Sequence, residues 1–243
     1  MSDSKIVVDG VGKSFGALPV IDKVSFDVRD GEFVAIVGPS GCGKSTLLNV
    51  IAGFERADRG AVRIDGVERQ GPSPEGILIS QQGSVFPWLT VQQNLMFGLS
   101  GTASRDKRAL ADRYAAMVGL EGFEEAYPHE LSGGMLKRVE LARALVVKPE
   151  ILFMDEPFSA LDALTSLRLQ TELRRILVEE RHTVLLITHD VEEAIYLADR
   201  VLVLSPRPAT IQTTIHVNLP HPRKLSSPEA QDLREAILKE LGL

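Results

Sequence analysis

The residues best suited to chemistry form a glycine-rich segment at positions 38–46, with the sequence GPSGCGKST. Its spacing fits the pattern G-x-x-x-x-G-K-[ST], in which glycines allow successive backbone N–H groups to converge on one phosphate. We expect Lys44 to reach the β- and γ-phosphates of a nucleotide and the Ser45 hydroxyl to bind Mg²⁺. The residues of this segment predicted to bind nucleotide are Ser40, Gly41, Cys42, Gly43, Lys44, Ser45 and Thr46.

A second feature is a pair of acids that follows an apolar run, in the sequence ILFMDE at positions 151–156. A strand with this pattern would place its carboxylates at the C-terminal edge of an open α/β sheet, where such sheets bind ligands. We expect Asp155 to hold Mg²⁺ through water and Glu156 to orient or deprotonate an attacking water. Alone, the pattern is typical of a strand end with solvated charges; the phosphate-binding segment makes phosphoryl transfer the preferred interpretation.

A third feature is the sequence LSGGM at positions 131–135, which precedes a clear helical segment. Ser132 is a suitable helix N-cap, while Gly133 and Gly134 allow a ligand to approach the backbone closely. The segment predicts a second helix N-terminus that meets an anion. Taken alone, it is more typical of an ordinary helix start.

The elements that must position these residues alternate between short apolar runs and helical patterns, which favours an α/β fold with a largely parallel sheet. The near-continuous apolar runs predict buried strands at 33–37, 77–80, 151–155, 184–188 and 201–204. Runs at 5–9 and 24–28 alternate like half-exposed strands. Residues 90–149 show helical periodicity and no convincing strand, which predicts a helical insertion. A short amphipathic helix is predicted at 232–241.

Composition narrows the class of protein. The 243 residues are 44% hydrophobic, which suits one α/β domain with a small insertion, and the net charge of −6 argues against a nucleic-acid partner. Cys42 is the one cysteine, so a disulfide framework is excluded and a reducing compartment is expected. We interpret it as a small loop side chain rather than a reactive thiol. The N-terminal residues lack a signal sequence, and no apolar run approaches the roughly 18 residues of a membrane span.

The order of the motifs resembles that of the nucleotide-binding subunits of ATP-binding-cassette transporters. The phosphate-binding segment is followed by Gln81, LSGGM, ILFMDE, SALD at 159–162 and ITHD at 187–190, and the resemblance extends from about residue 5 to 207. It implies a P-loop NTPase (RecA-like) core with an N-terminal antiparallel β subdomain and an inserted α-helical subdomain. The implied boundaries within one domain, 1–243, are 1–89 and 150–205 for the core with its β subdomain, 90–149 for the helical signature subdomain and 206–243 for a short tail.

The resemblance also implies roles for individual residues. Phe15 matches the aromatic residue that stacks on adenine, with an ordinary buried phenylalanine as the alternative. Gln81 matches the glutamine that senses Mg²⁺ and the attacking water, and His189 matches the switch histidine at the γ-phosphate. Asp162 matches the loop that contacts an opposite subunit, which is compatible with a second role as a helix cap.

The implied assembly is a homodimer in which the phosphate-binding loop of each subunit faces the LSGGM segment of the other across ATP and Mg²⁺. A second helix N-terminus would complete the electrostatic cage around the transferring phosphoryl group. The family implies permease subunits as membrane partners, a periplasmic or extracellular solute-binding protein in the full system, and a position on the cytoplasmic side of the inner or plasma membrane.

Several features resemble the importers of nitrate, sulfonate, taurine and bicarbonate. These are Met135 at the end of the signature, the sequence FPWLTV at 86–91 and a short tail with the sequence HPR at 221–223. In this family the region of Trp88 receives the membrane subunit; packing between subdomains is the alternative. The usual glutamine-arginine pair after the signature is Lys137 and Arg138 here. We therefore expect an importer ATPase, with a lipid or drug exporter, a soluble cassette ATPase acting on ribosomes or DNA, and a catalytically silent cassette as alternatives.

Overall fold

The computed structural model describes residues 4–81, 83–99, 104–159 and 161–243, which fold around two β-sheets. The strands are β1 (Ser4–Phe15), β2 (Leu18–Arg29), β3 (Phe33–Val37), β4 (Arg59–Ile64), β5 (Val67–Glu68), β6 (Gly76–Ile79), β7 (Ile151–Asp155), β8 (Thr183–Ile187), β9 (Arg200–Leu204) and β10 (Ile211–His216). The helices are α1 (Lys44–Ala52), α2 (Val91–Met96), α3 (Ser104–Met117), α4 (Gly133–Leu145), α5 (Ala163–Glu179), α6 (Val191–Leu197) and α7 (Pro228–Glu240).

The larger sheet has the strand order β10-β9-β3-β8-β7-β6, and all of its pairs are parallel except the pair of β10 with β9. Strands β3, β7 and β8 are buried along their whole length, which explains their near-continuous apolar sequences. The five strands expected from the sequence are present within one or two residues of their predicted limits. The α/β fold class is therefore confirmed.

The smaller sheet is antiparallel and has the order β2-β1-β4-β5. Sequence patterns indicated only the first part of β1, at 5–9, and the last part of β2, at 24–28, whereas each strand has 12 residues. Register shifts around Gly10 and Gly12 break the alternation of apolar and polar residues in β1. Strands β4, β5 and β10 were missed, because β5 has only two residues and the other two sequences are largely polar; β4 has two buried residues and the others none.

Helix α1 packs between the two sheets. Leu47, Leu48 and Ile51 are fully buried and join one face of the parallel sheet to the antiparallel sheet. The helix begins after Gly43, which has φ +118° and whose absent Cβ would lie 2.6 Å from Cγ1 of Val20. Only glycine fits this junction, because any side chain would meet β2 in an unfavourable backbone conformation. The fit places the start of α1 against the antiparallel sheet.

Helices α2, α3 and α4 form the insertion expected between residues 90 and 149. No strand occurs there among the residues that the structure describes. Thr90 begins α2 with a reciprocal capping box to Gln93, and the buried Asn94 amide donates to the carbonyls of Phe86 and Leu89. The buried residues of this insertion include Tyr114, Val118, Val139, Ala142 and Val146.

The C-terminal tail packs on the parallel sheet domain through β10 and α7. Helix α7 begins at Pro228, four residues before the predicted start, because Ser227 caps it. The buried guanidinium of Arg223 donates to the carbonyls of Ile195 and Ala198 at the end of α6. Among the described helices, none combines the length and the apolar character needed to cross a bilayer.

Replacing a fully buried side chain of the helical insertion tests its packing. We expect Leu145→Ala to lower the free energy of unfolding by about 2–5 kcal/mol, since the substitution leaves a cavity. The matched control, Leu164→Ala on α5, removes a side chain that is 73% exposed and should change stability by less than about 0.5 kcal/mol. Urea denaturation measures both values, and equal stabilities of the two variants would contradict the described core.

Candidate active site

A cavity of 610 Å³ lies at the carboxyl edge of the parallel strands and gathers residues from distant parts of the chain. Its lining residues in the phosphate-binding loop are Ser40, Gly41, Gly43, Lys44, Ser45 and Thr46. The remaining lining residues are Phe15, Leu18, Val20, Gln81, Glu156, His189 and Arg207. A larger cavity of 710 Å³ lies between α3, α4 and α5 but contains none of the phosphate-binding loop. We therefore assign the site to the smaller cavity.

The phosphate-binding loop connects the end of β3 to the start of α1. Lys44 is 7% exposed, and its Nζ donates to the carbonyls of Gly38 at 2.8 Å and Pro39 at 3.1 Å. The N-cap Gly43 makes no side-chain cap hydrogen bond, and the helix N-terminus at the cavity is suited to bind an anion. The loop thus combines a positioned ammonium group with a helix N-terminus.

Cys42 is the one predicted loop residue whose side chain does not line the cavity. It is buried against β-sheet residues, and this burial raises the pKa of its thiol. The thiol is therefore protonated at neutral pH and faces away from any ligand. This agrees with its interpretation as a small loop side chain.

Asp155, at the end of β7, lies close to the side chain of Ser45 at the start of α1. Burial raises the pKa of Asp155, an effect that the nearby Ser45 hydroxyl and the charge of Lys44 oppose. A hydroxyl and a carboxylate side by side are oxygen donors of the kind that Mg²⁺ prefers. Within the described ranges no cluster of three or more His, Cys, Asp or Glu residues could hold a metal ion. The residues fit a site in which phosphate and water complete the coordination of Mg²⁺.

The carboxylate of Glu156 is contacted by two further residues, Gln81 and His189, which lie in different loops. Nε2 of Gln81 donates to its Oε2 at 3.2 Å, and Nδ1 of His189 lies 3.1 Å from its Oε1. The backbone N–H of Glu156 donates to the carbonyl of Ile187 at 2.9 Å, which anchors the residue to the end of β8. Its φ of +49° is uncommon for a side-chain-bearing residue, and such strain concentrates at functional sites. Three residues predicted from the sequence to be catalytic thus meet in one place.

Besides Cys42, four predicted nucleotide-binding residues do not line this cavity, namely Ser132, Gly133, Gly134 and Asp162. Ser132 caps α4, with its Oγ accepting from the N–H of Met135, and it precedes Gly133 and Gly134 in the first turn. Asp162 caps α5 by accepting from the N–H of Thr165 at 3.0 Å, and hydrogen bonds from Thr165 lower the pKa of its carboxyl. Both helix caps predicted from the sequence are present. Ala160 in the SALD motif and Gln82 beside Gln81 lie outside the described residues.

Sequence reasoning missed two residues next to the glutamine and histidine loops. Lys137, noted only as a departure from the family pattern, donates from Nζ to the carbonyls of Ser80 and Gln81 and so ties α4 to the glutamine segment. Glu193 is 7% exposed; its Oε2 accepts from Thr188 at 2.5 Å and its Oε1 has no partner. An acid in the first turn of a helix is an ordinary pattern, so no sequence signal marked it.

A third missed residue, Arg207, also lines the cavity. It lies in the sequence SPRP at 205–208, for which no role in the site was predicted from the sequence. Prolines on both sides mark a turn but do not reveal what the turn faces. Its position depends on how the loop packs against β2, which no local pattern encodes.

The class of protein follows from the fold and the site: a glycine-rich loop between a buried parallel strand and a helix, beside a strand-end acid pair, defines a P-loop nucleotide-binding protein. The profile of the family described as ABC transporter matches residues 21–159. The chain belongs to this family and is an ATP-binding and ATP-hydrolysing cassette protein. Its motif order was identified correctly from the sequence.

Relatives cover nearly the whole chain. An ATP-binding protein of Brucella abortus is 46% identical over 238 residues, covering 96% of this chain and 92% of its own length. An ABC transporter ATP-binding protein of Methanocaldococcus jannaschii is 44% identical, with 98% and 91% covered. The aliphatic sulfonates import ATP-binding protein SsuB of Bacillus licheniformis is 44% identical, with 94% and 89% covered.

Two solved dimeric structures of an ATP-binding cassette resemble this fold. One, in a post-hydrolysis state bound to ADP and phosphate, has a TM-score of 0.78 at 29% identity and covers 88% of this chain and 99% of its own. The second has a TM-score of 0.80 at the same identity and coverage. The protein is accordingly the ATPase subunit of a transporter.

The buried carboxyl of Glu193 predicts a pH dependence of stability. Burial raises its pKa from 4.5 to about 8, and the nearby charges of Asp190 and Glu156 act in the same direction. Between these values the folded protein holds a proton that the unfolded chain releases. Stability should therefore fall as pH rises from about 5 to 8, by up to about 1.4 kcal/mol per pH unit.

The variant Glu193→Gln should remove this part of the pH dependence, because the amide resembles the protonated acid and does not titrate. Its neighbour Glu192, which is exposed, provides the control Glu192→Gln, which should keep the slope of the wild type. Urea midpoints at pH 5.5, 6.5 and 7.5 measure the difference. An unchanged slope in Glu193→Gln would contradict the protonated state of Glu193.

Proposed function

We propose that this protein hydrolyses ATP to drive import of a small oxyanion such as nitrate, sulfonate, taurine or bicarbonate. The main support for ATP hydrolysis is that Gln81 and His189 both contact the carboxylate of Glu156, within the cavity that contains Lys44. The substrate group is supported by the relatives named for aliphatic sulfonate import. It is also supported by Met135 and the sequence HPR at 221–223.

The geometry supports a direct hydrolysis reaction. Adenine stacks on Phe15, which is 50% exposed at the mouth of the cavity. When nucleotide binds, the Lys44 ammonium group leaves the loop carbonyls and contacts the β- and γ-phosphates. Glu156 accepts a proton from water as the water oxygen bonds to the γ-phosphorus and ADP leaves. Gln81 and His189 orient the water and the γ-phosphate. Ser45 and Asp155 would hold Mg²⁺, which neutralises charge developing on the phosphates.

We further propose that a second copy of the chain completes the site. The N-terminus of α4, with Ser132, Gly133 and Gly134, is absent from the lining of the chain's own cavity. A partner's α4 would supply N–H groups to the γ-phosphate, and Asp162 would lie at the same interface. The dimeric arrangement of the two similar cassettes supports this proposal.

The membrane contact is proposed at an aromatic patch formed by Phe86, Trp88 and Phe97. Trp88 is 69% and Phe97 is 65% exposed, and the ring of Phe86 lies 5.5 Å and 4.5 Å from theirs. This exposure argues against packing of Trp88 between subdomains. Exposed aromatic residues are suited to a protein interface. We propose that permease subunits bind here, on the cytoplasmic side of the membrane, and that a solute-binding protein serves the opposite side.

The variant Glu156→Gln tests the proposed reaction and the dimer together. ATP hydrolysis should fall by at least about 10²-fold, because an amide accepts no proton from water. ATP should still bind, and size-exclusion chromatography with light scattering should show the mass of two chains in ATP and of one chain without it. Lys44→Ala is the control that should lose nucleotide binding. A variant that keeps ATP but remains monomeric would contradict the shared site.

The variant Trp88→Ala tests the membrane contact. Co-purification with the cognate permease should be strongly reduced, since hot-spot aromatics often contribute about 2 kcal/mol or more to an interface. The affinity for ATP should change by less than about twofold, because Trp88 does not line the cavity. Phe123→Ala, at another exposed aromatic residue, is the matched control. An equal loss of ATP affinity would instead support a structural role for Trp88.

A further inference from the structure

We propose that Arg207 supplies a second cationic contact to the phosphate chain of the bound nucleotide. The proposal rests on the nucleotide cavity assigned above and adds a residue from outside its motifs. Nη2 of Arg207 lies 3.8 Å from the position that a Cβ would take at Gly41. The guanidinium is therefore next to the backbone of the phosphate-binding loop, on the cavity wall shared with Val20.

The loop that carries Arg207 is held in place independently of any ligand. Ser205 and Thr210 close it, with the N–H of Ser205 donating to the Thr210 carbonyl at 3.0 Å and the N–H of Thr210 donating to Ser205 Oγ at 2.9 Å. The buried Ala209 pairs with β2, because its N–H donates to the Val20 carbonyl at 2.8 Å and its carbonyl accepts from the N–H of Asp22 at 2.9 Å. The exposed tip is thereby fixed against the cavity wall.

The charges around the cavity favour a phosphate as the partner of Arg207. Among its lining residues, Lys44 and Arg207 carry permanent positive charges, while Glu156 is the one carboxylate. Glu156 is already engaged by Gln81 and His189. Within the part of the chain that the structure describes, Arg207 has neither a hydrogen bond nor an ion pair. A guanidinium binds phosphate oxygens through paired, charge-assisted hydrogen bonds.

The experiment compares ADP with adenosine in the full chain. Calorimetric titration of Arg207→Gln should show ADP binding weakened about tenfold, whereas Arg207→Lys, which keeps the charge, should lose less than about threefold. The affinity for adenosine, measured by competition with a fluorescent nucleotide, should not change. The salt dependence of ADP binding should become shallower in Arg207→Gln, because one charge contact is gone.

The control variant is Arg105→Ala on α3, at an exposed arginine that does not line the cavity; it should bind ADP like the wild type. The nucleotide-free melting temperature of Arg207→Gln should equal that of the wild type. The proposal is overturned if Arg207→Gln keeps wild-type ADP affinity, or if it weakens adenosine as strongly as ADP. A wild-type chain that binds no ADP would refute the nucleotide site itself, so the two failures are distinguishable.

Discussion

The parallel register of β3, β8 and β7 determines where the phosphate-binding loop, Glu156 and His189 lie. Ile187 is opposite Ile36 on one side and Asp155 on the other, so the three strands end at the same level of the sheet. The phosphate-binding loop, Glu156 and His189 follow those ends directly. A shift of one residue in either pair would turn side chains to the opposite face. The complete burial of the three strands makes such a shift energetically unfavourable.

Near this edge of the sheet, the buried acids Asp155 and Glu193 have few positive charges close to them. The pKa values of Asp155 and Glu193 are both raised, and burial is the largest cause in each case. The charge of Lys44 and the hydroxyls of Ser45 and Thr188 offset this effect without removing it. Such a site would suit the proposed binding of a polyphosphate together with a divalent cation, because each would relieve the electrostatic cost of the other.

The sequence identified the motifs and the parallel strands because both depend on local patterns. The phosphate-binding loop needs glycines at fixed spacing, and β7 needs an apolar run that ends in acids, so each can be recognised from a few adjacent residues. The caps at Ser132 and Asp162 were predictable for the same reason. What a residue faces across the fold follows no local rule. Arg207 and Glu193 were therefore missed, and so was the contact of Lys137 with the glutamine segment.

The same distinction explains the missed strands. Strand β4 is half-exposed and polar, and it forms a strand because it pairs with β1. The bulges of β1 interrupt the alternating pattern of its sequence, so the full length of β1 could not be predicted. The tail at 206–243 was expected to contain only a short helix, but Arg223 and β10 attach it to α6 and β9. In both regions tertiary packing extends elements for which the local sequence gives only a partial signal.

We propose that the phosphate-binding loop holds the nucleotide while the N-terminus of α4 completes the site of a second copy. Amide NMR of the monomeric chain titrated with ADP tests this most directly. We expect the backbone N–H signals of Gly41, Gly43 and Lys44 to shift strongly, while those of Gly133 and Gly134 stay in place. Large shifts at Gly133 and Gly134 with an unaffected phosphate-binding loop would contradict it.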